Sequence, residues 1–224
     1  MTPFHDRTDA GRRLALKLEH LRGAPGLLVL GLPRGGVPVA FEVAVHLGAP
    51  LDVMVVRKLG APGHEEYAVG AIGPGGVRVV QQDALRFLRV SEAALQSVTE
   101  RESRELLRRQ AVYRSGRGPL QLAERTVVLV DDGLATGSTM YAAIEATRKA
   151  GPRRLVVAVP VGAGDTCREL SRVVDEVVCL SQPEPFHAVG LWYRNFDQTS
   201  DEQVMALLAH APDGTVPGND STRT

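Results

Sequence analysis

Cysteine is almost missing from this chain: Cys167 and Cys179 are the only two in 224 residues. Two are too few for a disulfide framework or a cysteine-based metal cluster, so free thiols in a reducing compartment are expected. Neither sign of charge is in excess, with 26 Lys and Arg against 26 Asp and Glu. Bulk attraction to nucleic acid or to an anionic membrane is therefore not expected, although a local basic patch stays open. No apolar run reaches transmembrane length, and the opening MTPFHDRTDAGRR lacks the apolar core of a signal peptide. The expectation is a soluble, cytoplasmic protein with no membrane partner. The roughly 25 residues before the first strand signal are too few for a helix-turn-helix module, so no DNA partner is expected, whereas an RNA-binding role needs no such module. No internal repeat is visible.

What is present is a regular alternation of short apolar runs and amphipathic stretches. Thr8 or Asp9 can cap a first helix that carries Leu14, Ala15, Leu18 and Leu21 on one face. Leu27–Leu32 and Leu51–Val56 read as strands buried on both faces, with a helix over Val37–Leu47 between them. The polar, Gly-rich segment RKLGAPGHEEYAVGAIGPGG reads as a mobile loop with a short extended piece near Ala68–Ile72, followed by a strand at Val77–Val80. Residues 91–114 read as a helix capped by Ser91. Its arginines and glutamates read as a solvated face with i,i+4 pairs, not a nucleic-acid patch, because the signs are mixed. Strand Val127–Val130, helix Ser138–Ala150, strand Leu155–Pro160, helix Asp165–Val173 and strand Glu176–Leu180 follow in order. That pattern predicts an α/β fold, a Rossmann-like parallel sheet with helices on both faces. One domain is expected over residues 1–210, with a core at about 25–182. A small C-terminal hood at about 183–207, together with the N-terminal helix, would cover it, and 211–224 would form a disordered tail.

The most informative stretch is VVLVDDGLATGST, residues 127–139. A buried strand runs into two carboxylates, Asp131 and Asp132, and then into small and hydroxyl residues. In an open parallel sheet, ligands bind beyond the carboxyl ends of the strands. Small residues let backbone amides approach an anion, and the following helix N-terminus adds partial positive charge. A phosphorylated sugar suits both halves: its hydroxyls donate to the acids while its phosphate sits among the amides. A Walker B strand would need a G-x-x-x-x-G-K-[ST] loop upstream, which the chain lacks.

This stretch resembles the phosphoribosyl-diphosphate-binding motif of type I phosphoribosyltransferases. The order of the other elements extends the likeness over roughly residues 25–195, and FHDRTDAGRRLA and VRKLGAPGHEE look like a less characterised bacterial branch. The resemblance implies that Asp131 and Asp132 bind the ribose 2- and 3-hydroxyls, and that Ala135, Thr136, Gly137, Ser138 and Thr139 wrap the 5-phosphate. Leu32-Pro33-Arg34-Gly35-Gly36 resembles the family's diphosphate loop: Gly35 and Gly36 would permit unusual backbone geometry, and Arg34 would supply charge. Arg57 and Lys58, read at the end of the second strand, are assigned to the diphosphate as well. RKLGAPGHEE is similar to the mobile loop of orotate phosphoribosyltransferases. It departs from that pattern at Ala61, where a loop lysine would stand, and at His64, one residue late. His64, Glu65 and Glu66 are candidates for a lid or for ordinary exposed loop positions.

Mg²⁺ is the implied cofactor, held indirectly at Asp131 and Asp132 through ribose hydroxyls or water. The small acceptor would bind under the hood, where Phe186, Trp192, Tyr193 and Phe196 cluster; Trp192 is the candidate for stacking on a planar acceptor, and packing of the hood is the alternative. Ala135 occupies the position where enzymes of 6-oxopurines usually carry an Asp, which argues against hypoxanthine or guanine chemistry of that type. Gly133 stands where the family usually has a β-branched residue. The function expected is Mg²⁺-dependent transfer from phosphoribosyl diphosphate to a nucleobase-like acceptor. The alternative is a regulator that binds the same donor without turnover. A homodimer is an expectation of the resemblance.

Overall fold

The computed structural model describes residues 2–212; most of the expected tail, from residue 213 on, lies outside them. Five parallel strands form the main sheet: β1 (Leu28–Gly31), β2 (Leu51–Val53), β6 (Thr126–Val130), β7 (Arg154–Val161) and β8 (Glu176–Ser181), in the order β2-β1-β6-β7-β8. Between β1 and β6 the chain reverses its direction of travel across the sheet. Gly31 pairs with Val130 there, so the loops leaving the two strands emerge side by side. Such a crevice is where open α/β sheets bind ligands.

Strand alternation builds two cores from one sheet. Val29, Val128, Val130, Val156 and Ala158 face α1 (Arg7–Lys17) and α2 (Gly36–Leu47). Leu30, Leu129, Leu155, Val157 and Val159 face α5 (Ser138–Lys149) and α6 (Gly164–Leu170), represented by Met140, Ile144 and Leu170. Both faces are therefore covered, as the run of consecutive apolar residues requires. The cap of α1 is Asp6, whose Oδ1 accepts from the Asp9 amide at 2.9 Å, and not Thr8 or Asp9.

Residues 57–73 depart most from the sequence reading. The segment taken as a mobile loop forms β3 (Arg57–Ala61) and β4 (His64–Gly73), the latter containing the extended piece expected near Ala68–Ile72; with β5 (Val77–Val80), a strand as expected, they make an antiparallel sheet. Gly63, at φ 76°, makes the turn between the first two strands. Leu59, Ala61, Val69 and Ile72 are buried with Leu95, Val98 and Leu106 of the long helix further along the chain. The short helix α3 (Gln82–Phe87) and the long α4 (Glu92–Tyr113) follow. Strand β2 ends at Val53, so Arg57 and Lys58 open β3 instead of closing the second strand. A helix not foreseen, α7 (Asp201–His210), buries Val204 and Leu208 in the first core behind a Ser200–Gln203 capping box. No described helix is long and apolar enough to cross a membrane.

Candidate functional site

Asp131 and Asp132 leave β6 at the switch point, half-buried. The Asp132 amide donates to Asp131 Oδ1 at 2.9 Å, which ties the pair into one tight turn. Arg7 of α1 donates from Nε to Asp132 Oδ2 at 2.8 Å; the two side chains are only 12% and 16% exposed. The same guanidinium donates to the Asp197 carbonyl at 2.6 Å and lies 4.0 Å from the centroid of Phe196. Tyr193, stacked on Phe196, donates its hydroxyl to the Asp132 carbonyl at 2.6 Å. The N-terminal helix and the C-terminal segment thus meet over the acidic pair, with Phe4 pairing alongside Tyr193. Burial pushes the Asp131 carboxyl well above the usual carboxylate range, and the neighbouring Asp132 charge adds to it. Burial raises Asp132 as well, against the opposing pull of Arg7.

Gly35 and Gly36, after β1, press directly on these acids. A Cβ on Gly36 would come within 2.6 Å of the Val130 carbonyl and 2.8 Å of Asp131 Cα, and one on Gly35 would overlap Asp132 Oδ2. Gly35 has φ −63°, an ordinary helical value. Space, not dihedral freedom, is therefore what demands glycine there. The Pro33–Arg34 peptide is cis. Arg34 turns toward α7, 3.7 Å from Asp201, which also accepts from the Tyr113 hydroxyl at 2.6 Å.

Downstream, Leu134 anchors the loop. Its amide donates to the Val161 carbonyl at 2.9 Å, and its own carbonyl accepts from the Ala163 amide at 2.9 Å. Ala135 O accepts from Thr166 Oγ1 at 2.8 Å. With its backbone held from below, the loop leaves Ala135, Thr136 and Thr139 exposed, and the Thr136 and Ser138 hydroxyls lie 3.1 Å apart. Gly137, at φ 70°, is the N-cap of α5, so the first-turn amides of that helix lie beyond the reach of intrahelical acceptors and crown the loop. Gly133 has its own reason: a Cβ there would stand 2.5 Å from Val189 Cγ1, in the 3-10 turn Val189–Trp192. The hood fills the space that a β-branched residue would need.

Lys58, Arg57, Pro33 and Thr139 line one cavity of 360 Å³ with Arg101, Glu102 and Arg109 of α4. The sheet thus brings the glycine loop, the start of β3 and the end of the β6 loop to one place. Arg57 donates to Glu102 Oε2 from Nε at 2.9 Å and from Nη2 at 2.7 Å. His64 stands apart, exposed at the hairpin turn and paired across it with Ala61. The side chains of Glu65 and Glu66 lie outside the described residues. Trp192 packs on the cluster of Phe4, Ala10, Val161 and Tyr193, and its buried ring N–H has no hydrogen-bond partner among the described residues. Arg7, Tyr193, Phe196 and the α4 arginines went unforeseen as neighbours of the acids and the cavity. Arg7 lies 125 residues from Asp132 with no local signal of the pairing; the solvated α4 face expected from its mixed charges is present, with Glu105 paired to Arg108 and Arg109, while Glu102 is buried against Arg57.

A Mycobacterium tuberculosis protein with a provisional phosphoribosyl transferase name is 51% identical over 211 residues, covering 94% of this chain and 47% of that protein. The chain thus spans about half the length of that curated relative. Bifunctional protein PyrR of Deinococcus radiodurans is 32% identical over 161 residues, 71% of this chain and 68% of its own. The crystal structure of TT1426 from Thermus thermophilus superposes with a TM-score of 0.82 at 46% identity, covering 92% of this chain and 98% of that one. Residues 5–191 match the phosphoribosyl transferase domain, and the chain belongs to that family.

Proposed function

We propose that this protein transfers a 5-phosphoribosyl group from phosphoribosyl diphosphate to a small, nucleobase-like acceptor and releases diphosphate. The observation that carries the reading is the meeting of three unlike surfaces at the sheet's switch point: a carboxylate pair, an amide-rich loop and a cation-lined cavity. Asp131 and Asp132 would accept from the ribose 2- and 3-hydroxyls, and residues 135–139 would hold the 5-phosphate through backbone amides and the Thr136, Ser138 and Thr139 hydroxyls. Arg34, Arg57 and Lys58, with the Gly35 amide, would neutralise the diphosphate; the Gly36 amide donates to the Leu32 carbonyl at 3.0 Å. As the glycosidic bond breaks, positive charge develops on the ribosyl group, and the fixed carboxylates stabilise it without reorganising. A raised Asp131 carboxyl fits this role, because a sugar hydroxyl donating to it would stabilise the ionised form that burial disfavours.

Mg²⁺ fits the donor set. Asp131 and Asp132 are hard oxygen donors, and among the described residues no group of three or more His, Cys, Asp and Glu is placed to hold a metal. Mg²⁺ is usually bound by one or two carboxylates plus substrate phosphates. Bound there, it would supply neutralisation of the leaving diphosphate. Ala135 stands where the family's 6-oxopurine enzymes usually carry an Asp, which argues against that chemistry and leaves orotate-like, adenine-like or non-nucleobase acceptors open.

The test is incubation with phosphoribosyl diphosphate, Mg²⁺ and a panel of bases, following diphosphate release. Release with one acceptor supports transfer. Donor binding without release for any acceptor points to a regulator, and no donor binding overturns the reading. The joint substitution Asp131→Asn, Asp132→Asn should weaken donor binding at least ~100-fold, two charge-assisted hydrogen bonds being lost, while circular dichroism shows the fold intact.

A further inference from the structure

We propose that Arg7 is a positioning residue for the sugar: it takes one carboxylate oxygen of Asp132 and leaves the other as the acceptor for a single ribose hydroxyl. The inference deepens the reading above and rests on it. The four carboxylate oxygens of the acidic pair are not equivalent. Asp131 Oδ1 accepts from the Asp132 amide at 2.9 Å, and Asp132 Oδ2 accepts from Arg7 Nε at 2.8 Å. The glycine loop closes on that second contact, since a Cβ on Gly35 would overlap Asp132 Oδ2 and stand 3.2 Å from Arg7 Nε. Asp132 Oδ2 is thus enclosed between a guanidinium and a loop backbone. No hydrogen bond from another described residue reaches Asp131 Oδ2 or Asp132 Oδ1. Each acid therefore keeps one oxygen for a ligand, and two neighbouring hydroxyl donors need two acceptors.

Arg7 can fix its partner because it is itself fixed. Its Nη1 donates to the Asp197 carbonyl at 2.6 Å, and its guanidinium carbon lies 4.0 Å from the Phe196 centroid. Buried Tyr193 stacks on the same Phe196 and donates to the Asp132 carbonyl at 2.6 Å. Asp132 is therefore restrained twice, at its backbone and at one carboxylate oxygen, and Phe196 sits behind both restraints. A carboxylate free to rotate would have to be ordered by the sugar, at the expense of affinity. One already held in a planar, charge-assisted contact presents its remaining oxygen in a set direction.

Calorimetric titration in Mg²⁺ with ribose 5-phosphate, 2-deoxyribose 5-phosphate and 3-deoxyribose 5-phosphate measures what each hydroxyl contributes. In wild type, loss of either hydroxyl should weaken binding ~10-fold or more, the size of one charge-assisted hydrogen bond. Asp132→Asn identifies the hydroxyl that Asp132 takes, as the one whose loss then matters less. Arg7→Met should shrink the penalty for that same hydroxyl ~5-fold or more and leave the other within about twofold of wild type. In the Asp132→Asn background Arg7→Met should shrink it no further, because Arg7 acts through Asp132. Arg7→Lys keeps the charge but sets a methylene where Nε donates, so there too the penalty should fall ~3-fold or more. A lysine variant that circular dichroism shows folded, with both penalties within about twofold of wild type, overturns the proposal whether or not Arg7→Met folds. Equal shrinkage of both penalties in the Arg7 variants also overturns it, as the mark of a loosened site and not of one positioned acid. In those two cases the roles given to Asp131 and Asp132 survive, provided Asp132→Asn lowers one penalty. Wild type that binds all three sugars alike, or Asp132→Asn that changes neither penalty, overturns both this inference and the sugar contacts it rests on.

Discussion

Replacing Arg7 by methionine keeps the aliphatic stem of the side chain and removes its charge, and with it the ion pair with Asp132, the hydrogen bond to the Asp197 carbonyl and the contact over Phe196. Both partners are well under a third exposed, so the pair is not a screened surface contact. Breaking a buried pair by removing one partner costs about 3–5 kcal/mol, because the remaining charge is left uncompensated. Asp132 has an escape: its carboxyl is already raised by burial, and without Arg7 it rises further and takes up a proton more readily. Loss of the guanidinium over Phe196 adds about 0.5–1 kcal/mol. We expect a net loss of about 3 kcal/mol at pH 7, at the lower edge of the range, which for a chain of this size lowers Tm by roughly 6–12 °C. Thermal unfolding followed by circular dichroism reads it directly. The deficit relative to wild type should shrink as pH falls through the Asp132 titration, since a protonated Asp132 offers Arg7 no ion pair. Pairing Arg7→Met with Asp132→Asn closes a double-mutant cycle in which the double variant is less destabilised than the sum of the singles. A coupling below about 0.5 kcal/mol, or a Tm that moves by less than about 2 °C, would refute the view that α1 is locked to the site through this contact.

Asp131→Asn should flatten the pH dependence of stability. The native Asp131 holds a proton above 3.8, where the unfolded chain has released it, so wild-type stability falls as pH rises from there through the raised native value. Asparagine keeps an oxygen for the Asp132 amide, so the variant should be the more stable protein at neutral pH; an unchanged Tm profile between pH 4 and 8 would contradict the burial of this carboxyl. Gly133→Ala should cost about 1–3 kcal/mol by collision with Val189, and Val189→Ala should relieve most of it. Equal destabilisation of Gly133→Ala in both backgrounds, measured by urea unfolding, would show that the hood does not occupy that space.

The parallel sheet was legible because its signals are local. Val127–Val130 is apolar on both faces, and the acids and small residues follow within a few positions, so strand, carboxylates and candidate phosphate loop are written consecutively. The hairpin at 57–73 was hidden. Its glycines and charges resemble a loop, and its strand character depends on Leu59, Ala61 and Val69 finding α4 to pack on. Arg57 and Lys58 were assigned to the candidate site although their strand was misassigned, since their place beside Pro33 follows from the topology of two sheets.

The sequence by itself determined the order of the parallel strands and of the helices between them, the carboxylate pair at a strand end and the small residues beyond it, because each of these depends on neighbours within a turn or a strand. Tertiary structure alone decided that Arg7 pairs with Asp132, that Val189 requires glycine at 133, and that Arg101 and Arg109 of α4 border the same cavity as Pro33 and Thr139. Those are meetings of residues tens to more than a hundred positions apart. No local propensity encodes them; they follow from how the layers stack once the sheet has formed.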